Sequence, residues 1–290
     1  MTGNTGNTGN TGNTGNTGSA SNGMNVSAGW FFADRVDLPF VTAIEDVSGV
    51  AIATERLTPS PFAFPDRCWS ADWFGWRALT AFVSAAPSWT TITMPPWQNM
   101  PGYVTDDDEI DLLVTAAQDE RADALDEILS QSDEFTSYFL NLMMARPTSF
   151  PATTRVLFLA AQIGAFMAMN FKAQFSRPRP SQLCPALLPP IAVPGHPSYP
   201  SGHSTQAHLM ALCLNDVLDV LLPPQTLKWS TDLLALAERI ARNREIAGLH
   251  YPSDSWGGLQ LATNINNYLN NLGTPNFYSD AITAAQGEWQ

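Results

Sequence analysis

VLFLAAQIGAFMAMNF, residues 156–171, is the longest apolar run in the 290-residue chain. Its reading decides the fold. The run is short for a bilayer span and carries Gln162 and Asn170, so it is expected to be the buried helix of a soluble protein. A helix start fits near Ser149-Phe150-Pro151, because proline is tolerated in a first helical turn, and the pattern carries on to about Gln174. The stretch that follows, residues 176–200, is SRPRPSQLCPALLPPIAVPGHPSYP. Its prolines exclude a helix. Helices are expected again from about Ser201 to Leu222, from Thr231 to Leu249, and from Pro252 or Ser253 to Asn271.

Upstream, TDDDEIDLLVTAAQ (105–118) opens with a cap residue and acids, then places apolar residues at helical spacing. ERADALDEILSQ (120–131) and DEFTSYFLNLMMAR (133–146) read as two more helices before Pro147. No run of alternating residues competes with these. The expected fold class is mainly α, a helical bundle with an irregular, aromatic-rich N-terminal part. That part covers residues 29–100 and includes GWFFADRV, CWSADWFGW and SWTTITMPPW. These stretches show no sustained helical period and are read as loops, short helices and a packed aromatic layer. Residues 1–28 contain a TGN repeat with no apolar face, read as a low-complexity tail. The rest, 29–290, is read as a single domain.

Charge narrows the function. The chain has 27 acidic against 14 basic residues, a formal net charge of −13. Its general surface should not bind nucleic acid or anionic membranes. The lysines are Lys172 and Lys228, so any anion site is a local basic island. The N-terminus has no positive segment followed by an apolar one, so no secretory signal is seen. With no transmembrane segment recognised either, a cytoplasmic location is the default expectation. Cys68, Cys184 and Cys213 form no CxxC pair and describe neither a disulfide scaffold nor a zinc site. They are read as inert thiols, with one bridge such as Cys68–Cys184 left open.

The chain's four histidines include two in HPSYPSGHSTQ, residues 196–206. This stretch is one of three that share a chemical theme. KAQFSRPRP supplies Lys172, Arg177 and Arg179. YPSGHS supplies Ser201, Gly202 and His203. NREIAGLHYPSD supplies Arg244, His250 and Asp254. Arginine offers a planar fork of donors and lysine a point charge, both suited to a tetrahedral oxyanion. Ser201 and Gly202 open a helix, where free backbone N–H groups favour negative charge. Asp254, four residues after His250, can hold one ring nitrogen and leave the other free. His208, inside the helix, is read as structural. Ser201 and His203 at a helix start make poor geometry for a hydrolase triad, and no G-x-S-x-G elbow exists.

Lys172-x6-Arg179-Pro180, Pro200-Ser201-Gly202-His203 and Arg244-x5-His250-x3-Asp254 resemble the three-part signature of the vanadium-dependent haloperoxidase and type 2 phosphatidic acid phosphatase superfamily. The signature covers residues 172–254. Arg179, rather than Arg177, keeps the family spacing from Lys172. Asn243, where many members have serine, is a small departure. The resemblance implies a helical fold whose three segments converge on one pocket. It implies that Lys172, Arg179, Ser201, Gly202 and Arg244 bind the oxygens of vanadate or phosphate. His250 would bond vanadium or phosphorus, as the metal-binding residue, and His203 would be the acid–base residue. His196 matches the histidine of bromoperoxidases in the family pattern, a candidate halide or proton site. Its residue-level alternative is a turn residue of PGHPSYP.

The signature positions suit both activities, because vanadate on a histidine resembles the transition state of phosphoryl transfer. The favoured expectation is a soluble vanadate-dependent haloperoxidase that oxidises bromide or iodide with hydrogen peroxide, Lys172 polarising the peroxide. The cofactor would be vanadate, and the partners hydrogen peroxide, halide and small organic acceptors, with a homo-oligomer left open. The alternative is a soluble acid phosphatase with a phosphohistidine intermediate.

Overall fold

The computed structural model describes residues 68–221 and 225–290, without the side chains of 225–227. It also describes Phe64 and the dipeptide strands β1 (Ile44–Glu45) and β2 (Ala51–Ile52). The chain divides into two units, Gly18–Trp69 and a larger one holding Ser70–Gln290. In the smaller unit β1 and β2 pair antiparallel, with Ile44 opposite Ile52. The TGN repeat, the boundary expected at residue 28 and most of the aromatic stretch before residue 68 lie outside the described residues.

The larger unit is helical: α1 (Ala71–Ser84), α2 (Asp106–Asp119), α3 (Arg121–Asp133), α4 (Thr136–Leu142), α5 (Pro151–Phe175), α6 (Pro180–Leu183), α7 (Gly202–Leu218), α8 (Gln225–Ile246), α9 (Pro252–Asn270) and α10 (Phe277–Gln286). The fold is mainly α, as the periodicity predicts. Several ends follow from local chemistry. Thr105 Oγ1 accepts the Asp108 N–H at 3.1 Å and starts α2. Ser201 Oγ accepts the Ser204 N–H at 3.3 Å and starts α7. Pro151 and Pro252 each sit in a first turn, where their missing N–H costs nothing.

α5 is the centre of the bundle. It packs against α1, α7 and α10, and α7 also carries α8 and α9. The N-terminus of α5 is held by a residue from the far end of the chain. Glu288 accepts the Ala152 and Thr153 N–H groups at 2.7 and 2.8 Å. A carboxylate there satisfies donors that no helical turn can reach.

Four expectations need correction. First, α5 and the segment after it, Pro151–Leu183, are long and apolar enough to cross a membrane, with 78% of the apolar window buried inside the structure. The helix outruns the 156–171 stretch at both ends, so its length no longer argues against a span. The expected absence of such a segment fails, and with it the cytoplasmic default. Second, residues 71–84 form a full helix. Its buried positions Gly75, Ala78 and Phe82 keep helical spacing. Trp73 and Trp76 stay 62% and 49% exposed on the outer side and hide the pattern. Third, the proline-rich segment holds the single turn α6 and a 3-10 turn at Pro185–Leu187, each opened by a proline. Fourth, α8 starts at Gln225, six residues before Thr231, and α10 extends the bundle past Asn271.

Two glycine sites position the functional region. Gly248, at φ 75°, ends α8. Its N–H bonds the Glu245 carbonyl at 2.7 Å and the Leu249 N–H bonds the Arg244 carbonyl at 3.0 Å. This left-handed cap turns the chain so that Arg244 and His250 fall on either side of one bend. Gly257 and Gly258 let α9 approach closely. A Cβ would sit 2.4 Å from the Tyr199 ring at the first and 2.6 Å from the Ser204 side chain at the second.

Candidate active site

The three signature segments meet at one buried place, where the last turns of α5 and α8 approach the first turns of α7 and α9. Lys172, in the last turn of α5, is 1% exposed. Its Nζ donates to the carbonyls of Pro197 and Ser198 at 2.8 and 2.7 Å. Burial, then the Arg179 charge, holds this amine well below its ordinary range, and Asp254 opposes them. Arg179 donates to the carbonyls of His196 and Leu249, both at 3.0 Å. Its Nη1 also lies 3.3 Å from His250 Nε2. Burial lowers its pKa to about 10, against the opposing Asp254 charge.

Arg244 completes the cradle. It is fully buried, its Nη2 donates to the Ile128 carbonyl at 2.8 Å, and its Nε and Nη1 have no partner among the described residues. Burial lowers its pKa to about 10. A buried guanidinium with two idle nitrogens is costly unless something anionic meets it. Beside it stands the start of α7. A Cβ on Gly202 would meet no atom within 4 Å, so there is open space at a helix N-terminus. Cations, an open helix start and orphaned donors fit a tetrahedral oxyanion.

The histidines are set by their second nitrogens. His250 Nδ1 lies 3.0 Å from Asp254 Oδ2. A carboxylate accepts, so Nδ1 carries the proton and Nε2 keeps its lone pair. His203 Nε2 lies 3.1 Å from the Gln131 carbonyl, which leaves Nδ1 as its lone-pair nitrogen. The His203 ring lies against Phe135, with centroids 5.2 Å apart. Burial pushes both rings well below the ordinary 6.5, with Arg244 next for His203 and Arg179 next for His250. His196 Nδ1 sits 3.0 Å from Arg179 Nη2 and 3.1 Å from the Pro197 carbonyl. One nitrogen cannot accept from the arginine and donate to the carbonyl at once, so the ring's tautomer selects between these two contacts. Burial, Lys172 and Arg179 lower its pKa to about 4.

Each signature residue singled out from sequence is therefore placed here. Ser201 serves as the α7 cap and donates its N–H to the Asp254 carbonyl at 2.9 Å. His208 stays inside α7, its Nδ1 2.8 Å from the Ser204 carbonyl. All three cysteines are free.

Residues 153–270 match the family model of the PAP2 superfamily, which includes vanadium haloperoxidases and type 2 phosphatidic acid phosphatases. The matched stretch, less than half of the chain, holds all three signature segments. No curated protein matches the chain. The PAP2 segment runs from the first turn of α5 to the end of α9 and includes every cationic group described above.

The support of this site lies partly outside that segment. Arg177 donates to Asp254 Oδ1 at 2.8 Å, Glu109 Oε2 at 2.9 Å, Ser253 Oγ at 2.8 Å and Asp106. Its guanidinium lies between the rings of Trp97 and Tyr251, 4.7 and 3.8 Å from their centroids. Burial pulls its pKa down, and the three carboxylates reverse this to a net rise. Asp106 and Glu109 read in the sequence as ordinary first-turn acids of α2. Their i, i+3 spacing on one side of that turn was the available hint. Gln131, which supplies a carbonyl to His203, had none.

Proposed function

We propose that this domain is a vanadate-dependent haloperoxidase that oxidises bromide or iodide with hydrogen peroxide. The PAP2 family supports a phosphatase- or haloperoxidase-type activity. The finer choice rests on one observation: His196 Nδ1 lies 3.0 Å from Nη2 of Arg179, one of the arginines of the proposed oxyanion cradle.

Lys172, Arg179, Arg244, Ser201 and the Gly202 N–H are the groups that would hold vanadate, with His250 Nε2 as its protein ligand. Bound there, vanadate supplies a Lewis acid that activates peroxide toward halide. The chain's own part is electrostatic and positional. Asp254 holds the Nδ1–H of His250 and keeps Nε2 unprotonated and aimed inward. Arg179 and Arg244 compensate oxyanion charge with donors already fixed by main-chain carbonyls, so little reorganisation is needed. Lys172 lends one more proton-bearing group, ready to release a proton because burial has weakened its hold. His203 Nδ1 takes and returns protons on the acid–base side. His196 adds a neutral ring beside Arg179, suited to halide approach.

A second reading has its own support. His250 Nε2 is a neutral, oriented nitrogen, as nucleophilic attack on phosphorus requires, and His203 would then protonate the leaving alcohol. The test is the purified protein assayed with and without added orthovanadate for both bromination and phosphate release. Bromination that requires vanadate supports the first reading. Phosphate release inhibited by vanadate, with no bromination, transfers the assignment to phosphomonoester hydrolysis. Bromination independent of vanadium overturns the proposed mechanism.

A further inference from the structure

The His203 ring depends on a carbonyl that belongs to neither its own helix nor the PAP2 segment. Gln131 lies in the last turn of α3, where carbonyls run out of helical partners and the helix end carries partial negative charge. His203 Nε2 takes up this carbonyl at 3.1 Å across 72 positions of sequence. A ring tautomer is fixed by a carboxylate, as in His250 here, or by a main-chain carbonyl. Among the described residues His203 has this main-chain oxygen as its hydrogen-bond partner, and the titratable groups that bear on it are Arg244, His250 and Arg179.

Gln131's side chain ties this end of α3 to α8. Gln131 is fully buried, and its Oε1 accepts from Asn243 Nδ2 at 2.9 Å. Its Nε2 has no partner, so this bond is the amide's polar tie among the described residues. Asn243 is itself anchored: the same Nδ2 donates to Glu127 Oε2 at 2.9 Å, and Arg239 Nε holds that oxygen at 2.8 Å. Asn243 immediately precedes Arg244, whose Nη2 bonds Ile128 one turn earlier on α3. Two neighbouring residues of α8 thus grip α3 at Gln131 and Ile128.

We infer that Asn243 is a positioning residue for the acid–base histidine: through Gln131 it holds the helix-end carbonyl that fixes the ring tautomer of His203. Asparagine reaches both Glu127 and Gln131 from one nitrogen. A serine at this position, with one O–H to donate, could donate to only one of them. The catalytic consequence rests on the function proposed above, whereas the tautomer does not.

The test reads the ring directly. The full chain, labelled with 15N-histidine, is examined near neutral pH by long-range proton–nitrogen correlation, with His203 assigned by its loss in His203→Asn. Wild type is expected to show His203 as the Nε2–H tautomer. Asn243→Ser and Gln131→Met, which keeps the main-chain carbonyl and the side-chain volume, are both expected to give mixed tautomers. Turnover, in whichever reaction the protein performs, should fall about tenfold with KM little changed. The double variant should be no worse than the worse single one, since both cut the same tie. The inference is overturned by an Nδ1–H ring in wild type, or by an unchanged tautomer in the two folded single variants. A protein without either activity would end the functional proposal while leaving the tautomer result decisive.

Discussion

Arg177 and Arg179 stand two residues apart, both buried to 1% exposure, and they live in opposite electrostatic worlds. Arg177 meets the carboxylates of Asp106, Glu109 and Asp254 and lies between two aromatic rings. Arg179 meets carbonyls and two histidine rings, and among the described residues Arg244 leaves Nε and Nη1 unpaired where Arg177 leaves Nε alone. One arginine is neutralised and ties elements together. The other two keep their charge available. Buried charge with full compensation builds a frame, and buried charge without it builds a binding site. Asp254 is the hinge between the two, with Oδ1 on Arg177 and Oδ2 on His250.

The comparison breaks most visibly at Arg177. Arg177→Met strands three carboxylates, two of them deeply buried, and should cost about 3–5 kcal/mol of stability. Urea titration measures it, and a loss below about 1 kcal/mol would remove the distinction between frame and site. Arg244→Met should do the reverse. Stability should stay within about 1 kcal/mol of wild type or rise, because an under-paired guanidinium has gone. Affinity for orthovanadate or phosphate, read by calorimetry, should fall by about 2–3 kcal/mol, the scale of one or two hydrogen bonds to a charged group. Equal destabilisation by the two variants would sink the contrast.

A smaller effect concerns protons. His203, His250 and His196 have folded-state pKa values depressed below the ordinary 6.5, to about 4 for His196. The unfolded chain therefore binds more protons at these rings as pH drops from about 6.5 toward 4, and their contribution to stability is lost in that window. Buried Glu109 and Glu245, whose pKa values are raised mainly by burial, act in the opposite sense. A bound anion raises the histidine values and offsets their loss. Sulfate stays a dianion over this range, so its stabilising increment in melting temperature should grow by a few degrees from pH 7 to pH 5 at fixed ionic strength. An increment that is flat with pH would mean that the cradle's histidines do not sense the anion.

The finest prediction is at His196. His196→Ala should leave vanadate affinity within about threefold, since its ring contacts Arg179 rather than completing the cradle. It should shift the bromide-to-chloride preference or the pH profile of bromide oxidation. Unchanged preference and profile would return His196 to the role of a turn residue.

What the sequence settled by itself was local. Thr105, Pro151, Ser201 and Pro252 mark helix starts because capping and first-turn chemistry act within four residues. The His250–Asp254 pair was legible for the same reason: four positions across a helix start bring ring and carboxylate within reach whatever the rest of the chain does. Three short segments with suitable donors pointed to an oxyanion site. What only the tertiary structure decided was which donors stay unpaired. Arg177 finds its acids 71, 68 and 77 positions away, and His203 finds its carbonyl 72 positions away. No periodicity encodes such partners. They depend on where α2 and α3 dock. The outer tryptophans of α1 likewise concealed a helix whose small inner face makes sense only against α5. Residue type fixes what a side chain can donate, and the packing of distant helices fixes whether that donation is already spent.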